Sequence, residues 1–209
     1  MDNNKSHYYS KIPEVNVKIH TISESLRKHL YIFKTITGVF SFKKVDLGTK
    51  VLIEHMSIPK ESNILLDLGC GYGPIGIVLA YESPQSSVYL LDINRRAIWC
   101  AKENIKINLL RERKNIIALS GNYFDPIKTK NLRFDGIYMN PPLRRGRKEF
   151  LVLLSEIRNN LKSKGYFQFV IKKKMGAAYI LKYFTDTFPN ENIEILCKRS
   201  GYWVFNCFD

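Results

Sequence analysis

The side chains best placed for chemistry lie in the segment Asn140-Pro141-Pro142-Leu143, which directly follows the apolar run 134–139. The run predicts a strand, and sites in α/β proteins form in loops at strand ends. Prolines have a fixed φ and no N–H, so we expect the carbonyl oxygens of Asn140 and Pro141 to be free for a ligand. Such acceptors suit an amino group on a planar base or amide, whose lone pair they would localise and aim. A plain Asn-Pro turn without a ligand is the alternative interpretation of this segment alone.

The second candidate site is the glycine-rich segment 67–76, which follows another apolar run and reads Asp67-Leu-Gly69-Cys70-Gly71-Tyr-Gly73-Pro-Ile-Gly76. The last three glycines match the dinucleotide fingerprint, and Asp92 lies where an acidic residue would hold a ribose hydroxyl, so an NAD-dependent oxidoreductase is one interpretation. A carboxylate near the turn, such as that of Asp67, repels a pyrophosphate and attracts an ammonium group. The loop therefore fits S-adenosylmethionine, which carries an ammonium and a sulfonium and no phosphate, better than NAD.

Taken together, the segments 67–76, 92–94 and 140–143 resemble the class I S-adenosylmethionine-dependent methyltransferases that modify planar amino groups. More narrowly, Gly38-Val-Phe-Ser41, the following 45–49 and the segment 172–177 are similar to the bacterial 16S ribosomal RNA guanine-N2 methyltransferase family. The likeness runs from about residue 8 to residue 205. It implies S-adenosylmethionine as cofactor and ribosomal RNA, free or in the small ribosomal subunit, as partner.

The resemblance also implies roles for individual residues. Asn140 and Pro141 would be catalytic, as acceptors for the guanine amino group. Cofactor contacts would come from Asp67, Gly69, Cys70, Gly71, Gly73, Asp92, Ile93, Asn122, Tyr123 and Asn140. Substrate contacts would come from Phe40, Ser41, Pro142, Leu143, Arg144, Arg145 and Lys173. Without the resemblance, Phe40 would be interpreted as a core residue.

The chain departs from the family pattern at three points. Leu143 stands where an aromatic side chain often stacks on the base, and Asn122 stands near the position of an acidic residue that contacts adenine. Some members of the family carry two tandem copies of the domain, whereas this chain has one. Adenine-N6 methylation, protein-amide methylation and a non-catalytic RNA-binding role therefore remain open as alternatives.

Charge favours an RNA partner. The chain has 33 Lys plus Arg against 19 Asp plus Glu, which gives a formal net charge of +14, as expected for a protein that binds a polyanion. A basic surface that only aids solubility is the alternative. Basic residues follow the Asn-Pro-Pro turn (Arg144, Arg145, Arg147 and Lys148) and end a later strand (Lys172, Lys173 and Lys174). Both groups are expected on the edge of the sheet that carries the glycine loop.

Other classes of protein are disfavoured by composition. The polar N-terminus and the lack of a long apolar run predict a cytoplasmic protein with neither a signal peptide nor a membrane span. The four cysteines and four histidines show no spacing typical of metal ligands, so no metal site is expected.

The candidate sites require strands and helices that alternate along the chain, which predicts an α/β, doubly wound, mostly parallel sheet. The resemblance makes it a seven-stranded, Rossmann-like methyltransferase sheet with an antiparallel last strand. Strands are predicted at 88–91, 116–119, 134–139, 166–171, 193–197 and 202–205, and helices from Pro74 to Tyr81, after an N-cap at Asn94, and from Phe150 to Leu161. Residues 1–58 are predicted to form a substrate-facing extension with two strands before Gly38, the first from Val15 to Ile19, and residues 59–209 to form the cofactor-binding domain.

Overall fold

The computed structural model describes residues 16–109, 115–143 and 147–208. The predicted substrate residues Arg144 and Arg145 lie outside the described residues. In chain order the elements are β1 (Ile19–Leu26), β2 (His29–Ile36), α1 (Leu47–His55), β3 (Ile64–Leu68), α2 (Pro74–Glu82), β4 (Ser87–Asp92), α3 (Arg95–Asn108), β5 (Ile116–Ser120), β6 (Phe134–Met139), α4 (Arg147–Asn160), β7 (Leu161–Lys172), α5 (Ala177–Thr187), β8 (Ile193–Arg199) and β9 (Tyr202–Cys207).

A seven-stranded sheet in the order β5-β4-β3-β6-β7-β9-β8 forms the centre of the molecule. The five strands from β5 to β7 pair in parallel, and β9 pairs antiparallel with both of its neighbours. The predicted fold class, including the antiparallel last strand, is confirmed. Because neighbouring strands run the same way, the loops after β3, β4, β5 and β6 emerge on one edge, where sites form in open α/β sheets.

Two hydrophobic cores lie on opposite faces of the sheet, as expected for a doubly wound fold. One contains the buried side chains of α1, α2 and α3, and the other contains those of α4 and α5. Helix α2 is apolar on all sides, and seven consecutive residues from Pro74 to Ala80 are buried. A helix that is hydrophobic all round belongs inside a protein, so α2 holds the end of the glycine loop before it against the core.

The N-terminal extension is a β1–β2 hairpin held against α3 by asparagine side chains. Asn104 accepts from the Lys34 amide at 2.6 Å and donates to the Lys34 carbonyl at 2.9 Å. Asn108 brackets Ile32 in the same way, at 2.9 and 2.8 Å. These amides satisfy the edge of β2 as a third strand would, and they attach the hairpin to the cofactor-binding domain.

Three sequence-based boundaries are wrong. The first strand begins at Ile19, and Val17, which the alternating pattern places in it, is exposed outside it. Helix α4 ends at Asn160, and Leu161 pairs with Phe134 as the first residue of β7. Leu161 follows the helical spacing and is buried in the same core, so periodicity could not separate the two elements.

The β8–β9 turn is also shorter than the predicted four-residue turn at 198–201. Strand β8 continues to Arg199, and only Ser200 and Gly201 remain outside the strands. Their φ angles are 51° and 78°. Positive φ at both central residues is the signature of a tight hairpin turn whose twist matches that of the strands.

Candidate active site

A cleft that is open to solvent lies where the loops after β3, β4, β5 and β6 meet the N-terminal extension. Most of the predicted site residues line it: Phe40, Ser41, Gly69, Cys70, Gly71, Asp92, Ile93, Asn122, Tyr123, Asn140, Pro141 and Pro142. Asp67, Gly73, Leu143 and Lys173 are described by the structure and do not line it. Twelve of the predicted site residues therefore lie together at this cleft, and their contacts with a cofactor or a substrate stay predictions.

The backbone N–H groups of the glycine loop after β3 donate hydrogen bonds to other atoms of the protein. Gly69, Gly71 and Gly73 have φ angles of 73°, 58° and 92°, a region that favours glycine. The Gly69 and Cys70 amides donate to the Leu91 carbonyl, and the Gly71 amide donates to Asp92 Oδ2 at 2.8 Å. A pyrophosphate loop needs its backbone amides directed at the phosphate. Because these amides are engaged with the protein, the loop does not resemble a phosphate cradle.

Asp67 lies beneath the glycine loop, at the end of β3. The side chain is 1% exposed, and its Oδ2 accepts from the Gly76 amide at 2.8 Å, in the first turn of α2. Its Oδ1 atom has no hydrogen-bond partner among the described residues. Burial raises the pKa of Asp67 to about 8, the Gly76 hydrogen bond lowers it, and the charge of Asp92 raises it further. The Asp67 carboxyl group thus holds the loop to the helix that follows it.

Asp92 stands at the end of β4 with both carboxylate oxygens in use. Oδ2 accepts from Gly71, and Oδ1 accepts from the Asn94 amide at 2.8 Å. Burial raises the pKa of Asp92, and the two backbone hydrogen bonds oppose that shift. The side chain still lines the cleft, beside Ile93, and each oxygen keeps a lone pair for a ligand hydroxyl.

The charge of the cleft has the opposite sign to the charge of the chain. Three acidic side chains, Asp46, Asp92 and Glu149, line it, and no Lys, Arg or His is among the described lining residues. The remaining wall is largely apolar, with Leu68, Leu91 and other carbon-rich side chains. No protein atom lies within 4 Å of the point that a Cβ would occupy at Gly71. The cleft therefore fits a cofactor with two positive groups and an apolar body, as in S-adenosylmethionine, and does not fit NAD, whose pyrophosphate is anionic.

The Asn140 amide is held in one orientation at the end of β6. Its Nδ2 donates to Asp46 Oδ2 and to Thr49 Oγ1, both at 2.9 Å. A carboxylate oxygen can only accept, so the nitrogen end of the amide faces Asp46, and the oxygen end remains as an acceptor in the cleft. Asp46 is the N-cap of α1 and also accepts from the Gly48 and Thr49 amides.

The carbonyl of Pro141 is not free, which corrects the prediction made for the Asn-Pro-Pro turn. It accepts a hydrogen bond from the Leu143 amide at 2.9 Å, because the chain turns back directly after the second proline. A carbonyl oxygen has two lone pairs, so Pro141 keeps one for a ligand.

Leu143 itself is 8% exposed and packs in the core beneath α4, whereas Phe40 is only partly buried and lines the cleft.

The cleft residues that sequence reasoning missed include Asp46, Thr49 and Glu149. Glu149 lies on α4, and its Oε1 accepts from the Tyr123 hydroxyl at 2.8 Å. The Asp46–Asn140 contact joins residues 94 positions apart. Asp46 carries the local signal of a helix N-cap, and nothing in its neighbourhood of the sequence indicates a second partner.

A group of lysines lies beside the Asp46 side of the cleft. Lys172, Lys173 and Lys174, which we call the basic rim, are exposed at the carboxyl end of β7. Lys172 Nζ lies 5.8 Å from the centre of the Tyr202 ring. A Cβ added to Gly48, two residues after Asp46, would lie 2.8 Å from the same ring. One tyrosine therefore connects the basic rim to the first turn of α1.

Metal-binding clusters and membrane-spanning helices are both absent from the described parts of the chain. No group of three or more His, Cys, Asp or Glu side chains there is arranged to hold a metal ion. No helix among these residues is both long and apolar enough to cross a membrane.

The model of the methyltransferase small domain family matches residues 30–206. The chain belongs to this family. The predicted class, an S-adenosylmethionine-dependent methyltransferase of class I, is therefore confirmed, and S-adenosylmethionine is its cofactor. The alternative of an NAD-dependent oxidoreductase is excluded by the same match and by the acidic cleft.

Three relatives show how far the likeness extends. The chain is 32% identical over 198 residues to "Uncharacterized protein YbxB" of Bacillus subtilis, covering 95% of this chain and 96% of that protein. It is 36% identical over 186 residues to "Ribosomal RNA small subunit methyltransferase C" of Buchnera aphidicola, covering 84% of this chain and 50% of that protein. The Thermus thermophilus 16S rRNA N2 G1207 methyltransferase, solved with AdoMet and guanosine, shares the fold with a TM-score of 0.76 at 22% identity, over 94% of this chain and 52% of that chain. The chain thus spans about half the length of these two methyltransferases.

Proposed function

We propose that this methyltransferase transfers the methyl group of S-adenosylmethionine to the exocyclic N2 amino group of a guanine in 16S ribosomal RNA. The observation that carries the proposal is the Asn140 amide, whose nitrogen is held by Asp46 and Thr49 so that its oxygen can only accept in the cleft. An amino group is the ligand that such an acceptor suits. The relatives named as small-subunit ribosomal RNA methyltransferases support the choice of substrate.

Cofactor binding is assigned to the glycine loop and to the ends of β4 and β5. Gly69, Cys70 and Gly71 would hold the methionine end, with Asp67 acting from beneath the loop. Asp92 would accept from the ribose hydroxyls beside Ile93, and Asn122, next to Tyr123, would accept from the adenine amino group. The acidic lining supports this placement, since it lowers the energy of a bound cation.

The reaction requires the protein mainly to orient the guanine amino group toward the methyl group. When bound, the cofactor supplies an electrophilic methyl group on a sulfonium. Asn140 Oδ1 and the remaining lone pair of Pro141 O accept from the guanine amino group and align its lone pair with that methyl group. Transfer would form the N–C bond as the S–C bond breaks, the cofactor would leave as a neutral thioether, and the methylated nitrogen would lose its proton to water. No side chain needs to act as a strong base, and the described cleft holds no histidine.

RNA binding is assigned to the basic rim. Lys173 and its neighbours lie at the carboxyl end of β7, and the contact through Tyr202 places the basic rim near Asp46 and so near Asn140. A phosphate backbone on the rim would position the RNA without specifying its sequence, and a base turned out of the helix would enter the cleft. A ribosomal RNA substrate implies action in the cytoplasm.

The test is methylation of RNA from cells that lack the enzyme. Small ribosomal subunits and naked 16S ribosomal RNA are incubated with isotope-labelled S-adenosylmethionine, digested and analysed as nucleosides. We expect label in N2-methylguanosine. Label in N6-methyladenosine or in protein would replace guanine by one of the alternative acceptors, and cofactor binding without transfer to any of them would leave a non-catalytic RNA-binding protein.

A substitution of Asn140, the residue on which the proposal rests, tests the mechanism directly. Asn140→Ala should lower the single-turnover rate about 100-fold or more, because the missing acceptor acts mainly in the transition state. Affinity for the cofactor and for RNA should stay within a few-fold. Asn63→Ala is the matched control, since Asn63 precedes β3 at the opposite edge of the sheet and its side-chain nitrogen donates to Glu61 O. An unchanged rate for Asn140→Ala would contradict the mechanism.

A further inference from the structure

We propose that Asp46 and Thr49 are positioning residues that lock the polarity of the Asn140 amide, so that the site selects ligand groups that donate a hydrogen bond. The proposal rests on the proposed function of the cleft. The proposal goes beyond that function, because it gives two residues of the N-terminal extension a role in methyl transfer.

The fixed orientation of the Asn140 amide follows from the hydrogen bonds that its nitrogen donates. Asn140 Nδ2 has two hydrogens, and its two partners, Asp46 Oδ2 and Thr49 Oγ1, lie at 2.9 Å each. Turning the amide over would bring Asn140 Oδ1 against Asp46 Oδ2 at the same distance. Two acceptors at that separation repel, and both nitrogen hydrogens would lose their partners. The observed orientation is therefore strongly preferred.

Asp46 is itself held in place from the other side. Its Oδ2 accepts from the Gly48 and Thr49 amides at 2.9 and 3.2 Å. The same oxygen therefore caps α1 and holds Asn140, and the positive end of the helix stabilises its charge. Gly48 is in close contact with Tyr202 of β9, so this helix end cannot move toward the sheet.

The consequence for the substrate is a choice between donors and acceptors. Because Asn140 Nδ2 faces the N-terminal extension, Asn140 Oδ1 faces the substrate. This oxygen accepts a hydrogen bond from an amino group and repels a carbonyl oxygen. A reversed amide would present N–H groups and repel the amino group that is to be methylated. The lock should therefore affect the rate of transfer and leave cofactor affinity unchanged.

Two pairs of variants test the lock. Thr49→Val removes the acceptor at almost constant volume, and Thr49→Ser restores it. Asp46→Ser keeps an N-cap residue but shortens its reach toward Asn140, and Asp46→Asn keeps both the cap and an oxygen at the observed distance. We expect Thr49→Val and Asp46→Ser each to lower the single-turnover rate about 10-fold, as for the removal of one hydrogen bond of about 1.4 kcal/mol. Thr49→Ser and Asp46→Asn should stay within a few-fold of wild type, and all four should bind the cofactor equally well.

A second measurement does not depend on activity. The side-chain amide protons of Asn140, assigned in a nitrogen-15 spectrum by their disappearance in Asn140→Ala, should exchange slowly with water in the wild type and much faster in the double variant Thr49→Val, Asp46→Ser. Slow exchange in the double variant, or transfer at the wild-type rate, would overturn the lock. If the wild type methylates no guanine at all, the proposed function fails, and the exchange experiment still decides whether the amide is locked.

Discussion

Asp67 and Asp92 both lie near the glycine loop, and their different surroundings give them different roles. Asp92 satisfies both oxygens with backbone amides and still lines the cleft. Asp67 is fully buried, bonds the first turn of α2 and leaves one oxygen without a partner among the described residues. The first is suited to a direct contact with the cofactor, and the second acts through the loop that it supports.

Asp92→Ala should weaken S-adenosylmethionine binding by about 1.5–3 kcal/mol, as expected when hydrogen bonds to a charged acceptor are removed. The variant also frees the Gly71 amide, so the loop loses a support together with the ribose contact. Isothermal titration calorimetry measures the change. Cys70→Ala is the control, because it changes a neutral side chain of the same loop, where a backbone role is predicted, and equal effects in both variants would remove Asp92 from ribose recognition.

Asp67→Asn should flatten the dependence of stability on pH. Burial raises the pKa of Asp67 from 3.8 to about 8, so between these values the unfolded chain has released a proton that the folded protein keeps. Stability then falls as pH rises, by about 1.4 kcal/mol per unit at most, and levels off above pH 8. Asparagine keeps an oxygen for Gly76 and cannot ionise.

Urea unfolding of wild type and Asp67→Asn at pH 5, 6, 7 and 8 gives the comparison. The stability of the wild type relative to the variant should decline steadily over this range. Parallel curves would mean that Asp67 ionises in the folded protein as readily as in the unfolded chain.

Site residues with a local signature could be found from the sequence, and those defined by tertiary contacts could not. The glycine spacing, Asp92 and Asn140 each stand next to a strand that the apolar pattern predicts. Asp46 carries only the signature of a helix cap, and Glu149 that of an ordinary exposed helix residue. Their positions in the cleft depend on how α1 and α4 pack on the sheet, which no short segment encodes.

At the scale of elements, α1 is fixed to the sheet at both ends. Its N-cap Asp46 binds Asn140 after β6, and beyond its C-terminus the backbone of Ser57 is held by the Tyr138 hydroxyl at 2.7 Å and by Gln168 Oε1 at 2.9 Å. The helix therefore fixes the position of Asp46, and through it the Asn140 amide, relative to the sheet.

Gly48→Ala should destabilise the protein and slow methyl transfer. Alanine favours a helix over glycine by about 1 kcal/mol, yet its Cβ would lie 2.8 Å from the Tyr202 ring and 3.0 Å from Asp46 Oδ2. Overpacking of this kind costs about 1–3 kcal/mol, and relieving it moves Asp46 away from Asn140. Thermal unfolding and single-turnover rates measure the two effects.

The neighbouring variant Leu47→Ala serves as control, because the Leu47 side chain is 48% exposed and belongs to the same helix. It should leave the transfer rate unchanged. A Gly48→Ala protein more stable than wild type would show that the Tyr202 ring gives way without cost.

Element types were predictable because strand and helix alternate with clear periodicity. The order of the strands was not predicted and is known from the structure. Boundaries failed where a residue satisfies two patterns, as Leu161 does. The division at residue 58 stays a prediction, and the asparagine contacts of α3 with the hairpin show that the two parts share an interface.

At the scale of the whole molecule, positive charge and negative charge are separated. The chain carries +14 in total, whereas the cleft is lined by acidic side chains. A polyanion is attracted to the surface and kept out of the cofactor site, and a small cation has the opposite preference. On the proposed function, this distribution of charge separates the binding of RNA from that of the cofactor.

Lys173→Ala should weaken RNA binding across sequences and lower the slope of log K against log salt by roughly 0.7–0.9, as expected when one phosphate is no longer neutralised by the protein. Cofactor affinity should not change. Lys164→Ala is the matched control, since Lys164 is an exposed lysine near the other end of β7, about 20 Å or more away. Equal weakening in the two variants would show that the charge acts diffusely.

The packing of Gly48 against Tyr202 also constrains how the chain folds during its own synthesis. The ribosome makes the extension first and β9 last, and at about 5–20 residues per second the two are separated by roughly 7 to 30 s. Throughout that interval α1 lacks the final strand on which it packs. The packing that holds the first turn of α1, and with it Asp46, is therefore complete only after β9 has been made.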